Sequence, residues 1–184
     1  EGLEIVSAHS TAYTLLAVSS YSHHKAIVRC IVRDAQSPTN NGKFGLGVGF
    51  WHNIVANCVI YDLRYGISGN NYYTGAKYVN NTIHSNDSYA LSTRESNVSK
   101  NLIKNNLLFT RNQGSAYAIS GSNPTSTPNW DSNMVGSGPM LGENAYTDVS
   151  IDNMFISTVR GSQDYHLRSQ FDYENYAPAV GLGV

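Results

Sequence analysis

One short phrase occurs four times between residues 26 and 108, and it constrains the fold more than any other feature. The four copies are AIVRCIV, IVANCVI, KYVNNTI and LIKNNLL. Each copy holds one small residue at the same place, and these residues are Cys30, Cys58, Asn81 and Asn106. The copies follow one another at intervals of 23 to 28 residues and are rich in β-branched side chains. This period predicts a solenoid whose coils bury their apolar faces against their neighbours.

Apolar residues flank that small residue at constant offsets. Three positions before it stand Ile27, Val55, Tyr78 and Ile103. Two positions after it stand Val32, Ile60, Ile83 and Leu108. Because the side chains of a strand alternate between its two faces, we expect both sets to point into one core, stacked in columns.

A second strand follows each phrase, and the four segments are GLGVGF, YGISG, YALST and YAISG. We take Val48, Ile67, Leu91 and Ile119 as equivalent, with Leu46, Tyr65, Tyr89 and Tyr117 two residues before them. The alternate positions, which we expect to face outward, are Gly47, Gly49, Gly66, Ser68, Ala90, Ser92, Ala118 and Ser120. Calcium needs several carboxylates, and a glycosidase needs two carboxyl groups about 5 to 9.5 Å apart. This strip supplies neither, so it disfavours catalysis and suits the close approach of another subunit.

The segments VNNTIHSN at 79–86 and IKNNLLFTRN at 103–112 resemble coil repeats of the right-handed parallel β-helix superfamily, the pectate-lyase-like fold. DYHLRS at 164–169 with APAVGLG at 177–183 is similar to the end of many such helices, with Ala177 where Ser is usual. The resemblance implies that Cys30, Cys58, Asn81 and Asn106 form a stacked ladder at a sharp corner. An Asn there tolerates a left-handed backbone, and its amide can bond corner groups.

The resemblance also implies the overall architecture: an all-β, single-stranded right-handed parallel β-helix of about six or seven coils. We expect one domain over residues 1–184, with a lateral loop at about 122–147 and a C-terminal cap at about 160–184. The superfamily includes lyases, hydrolases, phage tailspikes, capsid decorations and adhesins, so the fold by itself names no reaction.

Charge and composition exclude some partners. Charged residues make up 14% of the chain and its formal net charge is −1, so no basic footprint for nucleic acid is present. No apolar run reaches the roughly 18 residues that a membrane span requires. The abundance of Tyr, Ser, Asn and Gly is typical of the polar uncharged surfaces of extracellular or virion proteins.

Two interpretations of the cysteines remain open. Strands of adjacent coils lie about 4.8 Å apart, within the range that a disulfide between Cys30 and Cys58 tolerates. Alternatively, both are buried free thiols in the ladder that continues as Asn81 and Asn106. No further thiol or nearby His completes a metal site, so we expect no metal there.

Larger polar and aromatic residues cluster just beyond the second strands. The candidate glycan-contact rim consists of Trp51, Asn70, Tyr72, Tyr73, Arg94 and Trp130. Aromatic rings stack on apolar sugar faces, and amide and guanidinium groups bond hydroxyls or carboxylates. The alternative is that these rings only cover the edge of the core.

Two functions are compatible with these features. The favoured one is a non-catalytic structural or glycan-contacting module of a virion or extracellular assembly, of the capsid decoration, fibre or spike type. Its partners would be further copies of itself, most plausibly in a trimer, or other virion or surface proteins. The alternative is a polysaccharide lyase or hydrolase acting on an acidic polysaccharide. It would use Lys77 or His84 as general base and Arg94 to neutralise a uronate. Calcium is implied only under that alternative; otherwise we expect no cofactor and favour no catalytic residue.

Overall fold

The computed structural model describes residues 2–7, 14–18, 24–34, 44–48, 52–69, 75–85, 89–93, 101–111, 117–119, 129–138, 141–159 and 162–167. Within these ranges the chain is all-β and contains no α-helix, and none of its segments is a helix that could cross a membrane. A 3-10 turn spans Ile151–Asn153.

The strands in the described residues are numbered in chain order. They are β1 Glu4–Ser7, β2 Thr14–Val18, β3 Ala26–Val28, β4 Ile31–Asp34, β5 Phe44–Val48, β6 Ile54–Ala56, β7 Val59–Leu63, β8 Tyr65–Gly69, β9 Lys77–Val79, β10 Thr82–Ser85, β11 Leu91–Thr93, β12 Leu102–Lys104, β13 Leu107–Thr110, β14 Tyr117–Ile119, β15 Trp130–Asp131, β16 Met134–Val135, β17 Phe155–Ser157 and β18 Asp164–Leu167.

Successive strands belong in turn to three parallel sheets, A, B and C. Sheet A contains β1, β4, β7, β10, β13 and β16; sheet B contains β2, β5, β8, β11 and β14; sheet C contains β3, β6, β9, β12 and β15. The last two strands, β17 and β18, form an antiparallel hairpin. Every third strand therefore returns to the same sheet beside its predecessor, an arrangement compatible with a β-helix or solenoid.

The predicted core columns are confirmed. Ile27, Val55, Tyr78 and Ile103 occupy paired positions along sheet C, and Trp130 continues that column. Val32, Ile60, Ile83 and Leu108 do the same along sheet A, and Val135 continues the column. All of these side chains are buried in one apolar cluster, to which Ile67 and Leu91 of sheet B also belong.

The ladder residues are buried as predicted, and Asn133 extends the ladder by one step. Each Asn Oδ1 accepts a hydrogen bond from the main-chain N–H of the preceding ladder residue, as Asn106 does from Asn81 at 3.1 Å. Each Asn Nδ2 donates to a carbonyl in the preceding repeat, as Asn106 does to Tyr78 at 2.9 Å. The buried amides of the ladder therefore join four successive repeats, from Cys58 to Asn133.

The cysteines are free thiols, and the disulfide interpretation is not borne out. The Cys58 thiol lies 3.6 Å from the carbonyl oxygen of Ile27. One repeat later, Asn81 Nδ2 makes the equivalent contact with the carbonyl oxygen of Val55. Burial raises the pKa of the Cys58 thiol above its usual value. The thiol is therefore a weak hydrogen-bond donor within the ladder, protonated at neutral pH.

The predicted left-handed corner lies one residue earlier than expected. Each residue directly before a ladder position has positive φ; these residues are Arg29, Asn57, Asn80, Asn105 and Ser132. The ladder amide is therefore used for hydrogen bonding, while its predecessor makes the turn. Asn is common at these corner positions because its short polar side chain tolerates a left-handed backbone.

The lateral loop predicted at about 122–147 is interrupted by a repeat. Strands β15 and β16 fall inside that range and pair with sheets C and A. Isolated bridges from Asp131 to Glu143 and from Met134 to Tyr146 then continue the parallel pairing. Of the predicted cap at about 160–184, only residues 162–167 are described.

The register predicted for sheet B needs correction at two places. Ile67 pairs with Leu91 as expected, but Leu46, rather than Val48, pairs with Ile67. Likewise Tyr117, rather than Ile119, pairs with Leu91. Both errors are shifts of two residues, which leave each side chain on the same face of its strand.

The predicted outward strip of small residues is wrong at Gly66 and Ala90, because both are buried. A side chain at Gly66 would overlap Ile83 and the carbonyl of Ala90. Ser68 and Ser92 are half-buried. The side chains of residues 47 and 118, and all of residues 49 and 120, lie outside the described part of the chain.

Candidate functional site

The outer face of sheet A changes from exposed to buried along the stack. Paired positions place Val6, Arg33, Tyr61, His84 and Phe109 in one outward column. Val6 is 39% exposed, whereas Phe109 is 2% exposed. Arg33 and Tyr61, between them, are half-buried. One half of this face is therefore open and the other half is covered.

The C-terminal segment provides the cover. Phe155 of β17 packs edge-on against Phe109 with ring centroids 5.8 Å apart, and Phe155 also contacts Tyr165 of β18 at 5.2 Å. A second apolar cluster forms there, separate from the core between the sheets, and Met134 and Met154 belong to it. The hairpin is thus attached to sheet A by its own small core.

His84 lies beneath that cover. Its Nδ1 is 2.9 Å from the hydroxyl oxygen of Tyr165. Burial, and then the nearby Arg111 guanidinium, lowers the pKa of His84 to about 3. Burial also raises the pKa of the Tyr165 phenol above its usual value. At neutral pH the two groups form a hydrogen bond between uncharged partners.

A β-bulge in β7 carries a buried carboxylate, that of Asp62. Tyr61 pairs with His84 and Leu63 pairs with Ser85, so Asp62 between them is an extra residue, with φ of 58°. Such a bulge redirects a side chain out of the regular alternation. The result is a carboxylate that is only 5% exposed on the hairpin side of sheet A.

Asp62 joins the sheet to the hairpin region. Its Oδ1 lies 3.1 Å from Arg111 Nη2, and its Oδ2 accepts a hydrogen bond from Gln163 Nε2. Arg111 also donates to the carbonyl oxygen of Thr158 at 3.3 Å. One guanidinium group therefore bonds both the bulge and the segment between β17 and β18.

A second ion pair stands on the open side. Arg33 Nε lies 2.7 Å from Glu4 Oε1, and both side chains are partly exposed. This hydrogen bond raises the pKa of Arg33. Tyr61 lies between the two ion pairs, with its ring centroid 5.0 Å from that of Tyr165. Burial raises the pKa of the Tyr61 phenol, so its hydroxyl stays protonated at neutral pH.

These residues form one surface at the edge of the hairpin, which we call the shelf. It consists of Glu4, Arg33, Tyr61, Asp62, Arg111 and Gln163. The shelf offers an aromatic ring, guanidinium and amide donors, and carboxylate acceptors. Its two cations and two anions balance, so its formal charge is zero. Rings beside planar donors and acceptors are the groups that bind sugars.

The structure separates the residues proposed for catalysis. Lys77 is exposed on β9 of sheet C, whereas His84 is buried on β10 of sheet A. Arg94 lies outside the described residues. A general base works best with a pKa near the operating pH, and burial removes His84 from that range.

The predicted glycan rim is wrong at Trp130. This residue is fully buried in the core, and its Nε1 donates to the carbonyl oxygen of Asn101 at 3.2 Å. Trp130 therefore fills the column that Tyr78 and Ile103 begin, and it cannot contact a ligand. The other predicted rim residues, Trp51, Asn70, Tyr72, Tyr73 and Arg94, lie outside the described part of the chain.

Sequence reasoning missed the shelf because its members come from distant positions of the chain. Glu4 and Arg33 are adjacent only through the pairing of β1 with β4, and Gln163 reaches Asp62 only because the hairpin folds back. One signal was present: the charged Asp62 interrupts an otherwise apolar strand, VIYDL. Among the described residues, no group of three or more His, Cys, Asp or Glu could hold a metal ion.

Comparisons with protein-family models, with curated proteins and with solved structures find no significant match.

Proposed function

We propose that this protein is a non-catalytic structural module of a virion or extracellular assembly, of the capsid decoration, fibre or spike type, and that it contacts glycan through the shelf. We further propose that its sheets form a single-stranded right-handed parallel β-helix of the pectate-lyase-like kind. The rotation of strands through three parallel sheets and the buried Asn ladder support this fold. A crystal structure would test the hand of the connections.

The observation that carries the glycan proposal is the half-buried Tyr61 ring between two ion pairs. A sugar ring has apolar C–H faces and a polar edge of hydroxyls, so it pairs with an aromatic face bordered by donors and acceptors. The shelf provides both on a paired sheet that the hairpin holds from one side. Little ordering of the protein would be needed on binding, which favours affinity.

The polysaccharide lyase alternative receives less support from these residues. Of its two alternative bases, His84 is buried, and its low pKa makes it a weak base at neutral pH. It is tested by incubating the protein with pectate, alginate and chondroitin and following the absorbance of unsaturated product. Turnover that Lys77→Ala or His84→Ala abolishes would overturn the non-catalytic proposal.

Glycan binding is tested by isothermal titration of the intact protein with a panel of oligosaccharides. We expect at least one member to bind with a dissociation constant that Tyr61→Ala raises about tenfold, the equivalent of about 1.4 kcal/mol. Tyr146→Ala serves as control, because Tyr146 is an exposed tyrosine at the opposite end of the stack from β1. A panel without any binder would remove the glycan contact and leave only the structural role.

A further inference from the structure

The charges of the shelf are already paired within the protein. Glu4 occupies Arg33 at 2.7 Å, and Asp62 occupies Arg111 at 3.1 Å. Asp62 also accepts from Gln163, so both of its carboxylate oxygens are engaged. Each guanidinium group thus has a carboxylate partner before any ligand arrives, and the surface has no formal charge to attract an ion.

An anionic sugar would gain little at such a surface. Its carboxylate would have to replace Glu4 or Asp62 at a guanidinium group, exchanging one ion pair for another and leaving a second carboxylate close by. The ligand carboxylate and the displaced carboxylate of the protein would repel each other. The chain as a whole also carries a formal net charge of −1. No long-range field would draw a polyanion to the shelf.

An uncharged sugar could bind the shelf without displacing either ion pair. Hydroxyl groups both donate and accept, so they can bond the remaining guanidinium N–H groups and the half-exposed Glu4 carboxylate without breaking either ion pair. Hydrogen bonds to charged groups are stronger than those between neutral groups. The Tyr61 ring and the partly exposed Val6 beside Arg33 provide an apolar area for the C–H face of the sugar.

We infer that the shelf recognises uncharged pyranosides and discriminates against uronates. This inference depends on the proposed glycan contact and specifies its ligand class. Glu4 neutralises Arg33, and Asp62 neutralises Arg111. These two ion pairs cause the selectivity, because they leave no unpaired cation on the shelf for the carboxylate of a uronate.

The test is a titration of the intact protein with uncharged hexasaccharides of glucose, mannose and N-acetylglucosamine, and with hexamers of galacturonate and guluronate. We expect the best uncharged ligand to bind at least tenfold more tightly than either uronate. Its affinity should change less than twofold between 20 and 300 mM NaCl, since screening acts on interactions between charges. A uronate that binds more tightly, with affinity lost as salt rises, would overturn the inference and leave the glycan contact standing. Absence of binding by both classes would instead refute the proposed glycan contact.

A charge variant tests the selective element directly. Glu4→Gln leaves the Arg33 guanidinium without its carboxylate and gives the shelf a formal positive charge. We expect it to raise the affinity for the uronate hexamers at least threefold. The matched control is Glu143→Gln, which removes the same charge from an exposed residue at the other end of the stack and should change uronate affinity less than 1.5-fold. Equal effects of the two substitutions would contradict the role assigned to the Glu4–Arg33 pair.

Discussion

At the scale of single residues, the ladder shows how buried amides can hold a stack of repeats. Asn106 accepts from the main chain and the side-chain amide of Asn81, and it donates to Tyr78 and Asn133. A buried polar group without partners costs about 1 to 3 kcal/mol. The ladder therefore stabilises the fold mainly because the corner backbone would otherwise be buried unsatisfied.

Replacing Asn106 with Leu should lower the free energy of unfolding by about 3 kcal/mol, since several buried groups would lose their partners together. Urea denaturation measures the change. Asn153→Leu is the control, because Asn153 is exposed, and we expect a change of about 0.5 kcal/mol or less. Similar losses for both variants would show that the ladder amides contribute nothing specific.

His84 should make stability depend on pH. Burial and Arg111 lower its folded-state pKa from an ordinary 6.5 to about 3. Between these values the unfolded chain binds a proton that the folded protein does not, so stability is lost as pH falls from 6.5 towards 3. The slope contributed by one such group reaches about 1.4 kcal/mol per pH unit.

Unfolding free energies measured from pH 7.5 to 4.5 would check this dependence. His84→Gln should flatten the slope below pH 6.5, whereas His166→Gln, which alters an exposed histidine, should retain most of it. An unchanged slope in His84→Gln would mean that the imidazole is not held neutral beneath Tyr165.

At the scale of elements, sheet B approaches sheet A too closely for side chains at every position. Gly66 on β8 faces Ile83 on β10 and the carbonyl of Ala90 next to β11. The small residues of these strands therefore allow close packing inside the molecule, where the sequence suggested an outward surface. Overpacking a position of this kind costs about 1 to 3 kcal/mol.

We expect Gly66→Ala to destabilise the protein by about 2 to 3 kcal/mol, because a backbone carbonyl cannot move aside as a flexible side chain can. Ser68→Ala is the matched control two residues along the same strand, and its effect should be about 0.5 kcal/mol or less. Thermal or urea unfolding distinguishes the two. A tolerated alanine at Gly66 would restore the outward strip.

At the scale of the whole molecule, exposed large apolar residues lie near the two ends of the chain. Leu3 is exposed directly before β1, and Ile156 and Val159 are exposed in and after β17. End strands of stacked sheets offer backbone groups for further pairing. Association between copies is one way to cover such surfaces, and closed symmetry limits it to a defined number.

We propose that copies of the protein associate, with a trimer as the state that the resemblance to the β-helix superfamily implies. Light scattering coupled to size exclusion measures the mass in solution. Leu3→Arg should reduce that mass, because a charge at a buried contact is costly. Tyr146→Arg provides a comparison at the other end of the stack. A strictly monomeric protein across the micromolar range would contradict self-association without affecting the test of glycan binding.

The sequence by itself determined the repeating pattern, because strand periodicity is local. Fixed offsets around Cys30, Cys58, Asn81 and Asn106 were sufficient to predict the core columns and the ladder. Where the repeat was weaker, as around Val48 and Ile119, the register slipped by two residues. A two-residue slip preserves the face of every side chain, so the alternation alone could not detect it.

Only the tertiary structure decided where the candidate site lies. The sequence suggested a loop at Trp130, yet this residue completes a buried column because it pairs with Ile103 of β12. The shelf depends on the bulge at Asp62 and on the return of the hairpin to sheet A, which brings Gln163 and Tyr165 to residues about a hundred positions earlier. Such contacts follow from how separate elements pack against one another, and no local pattern encodes them.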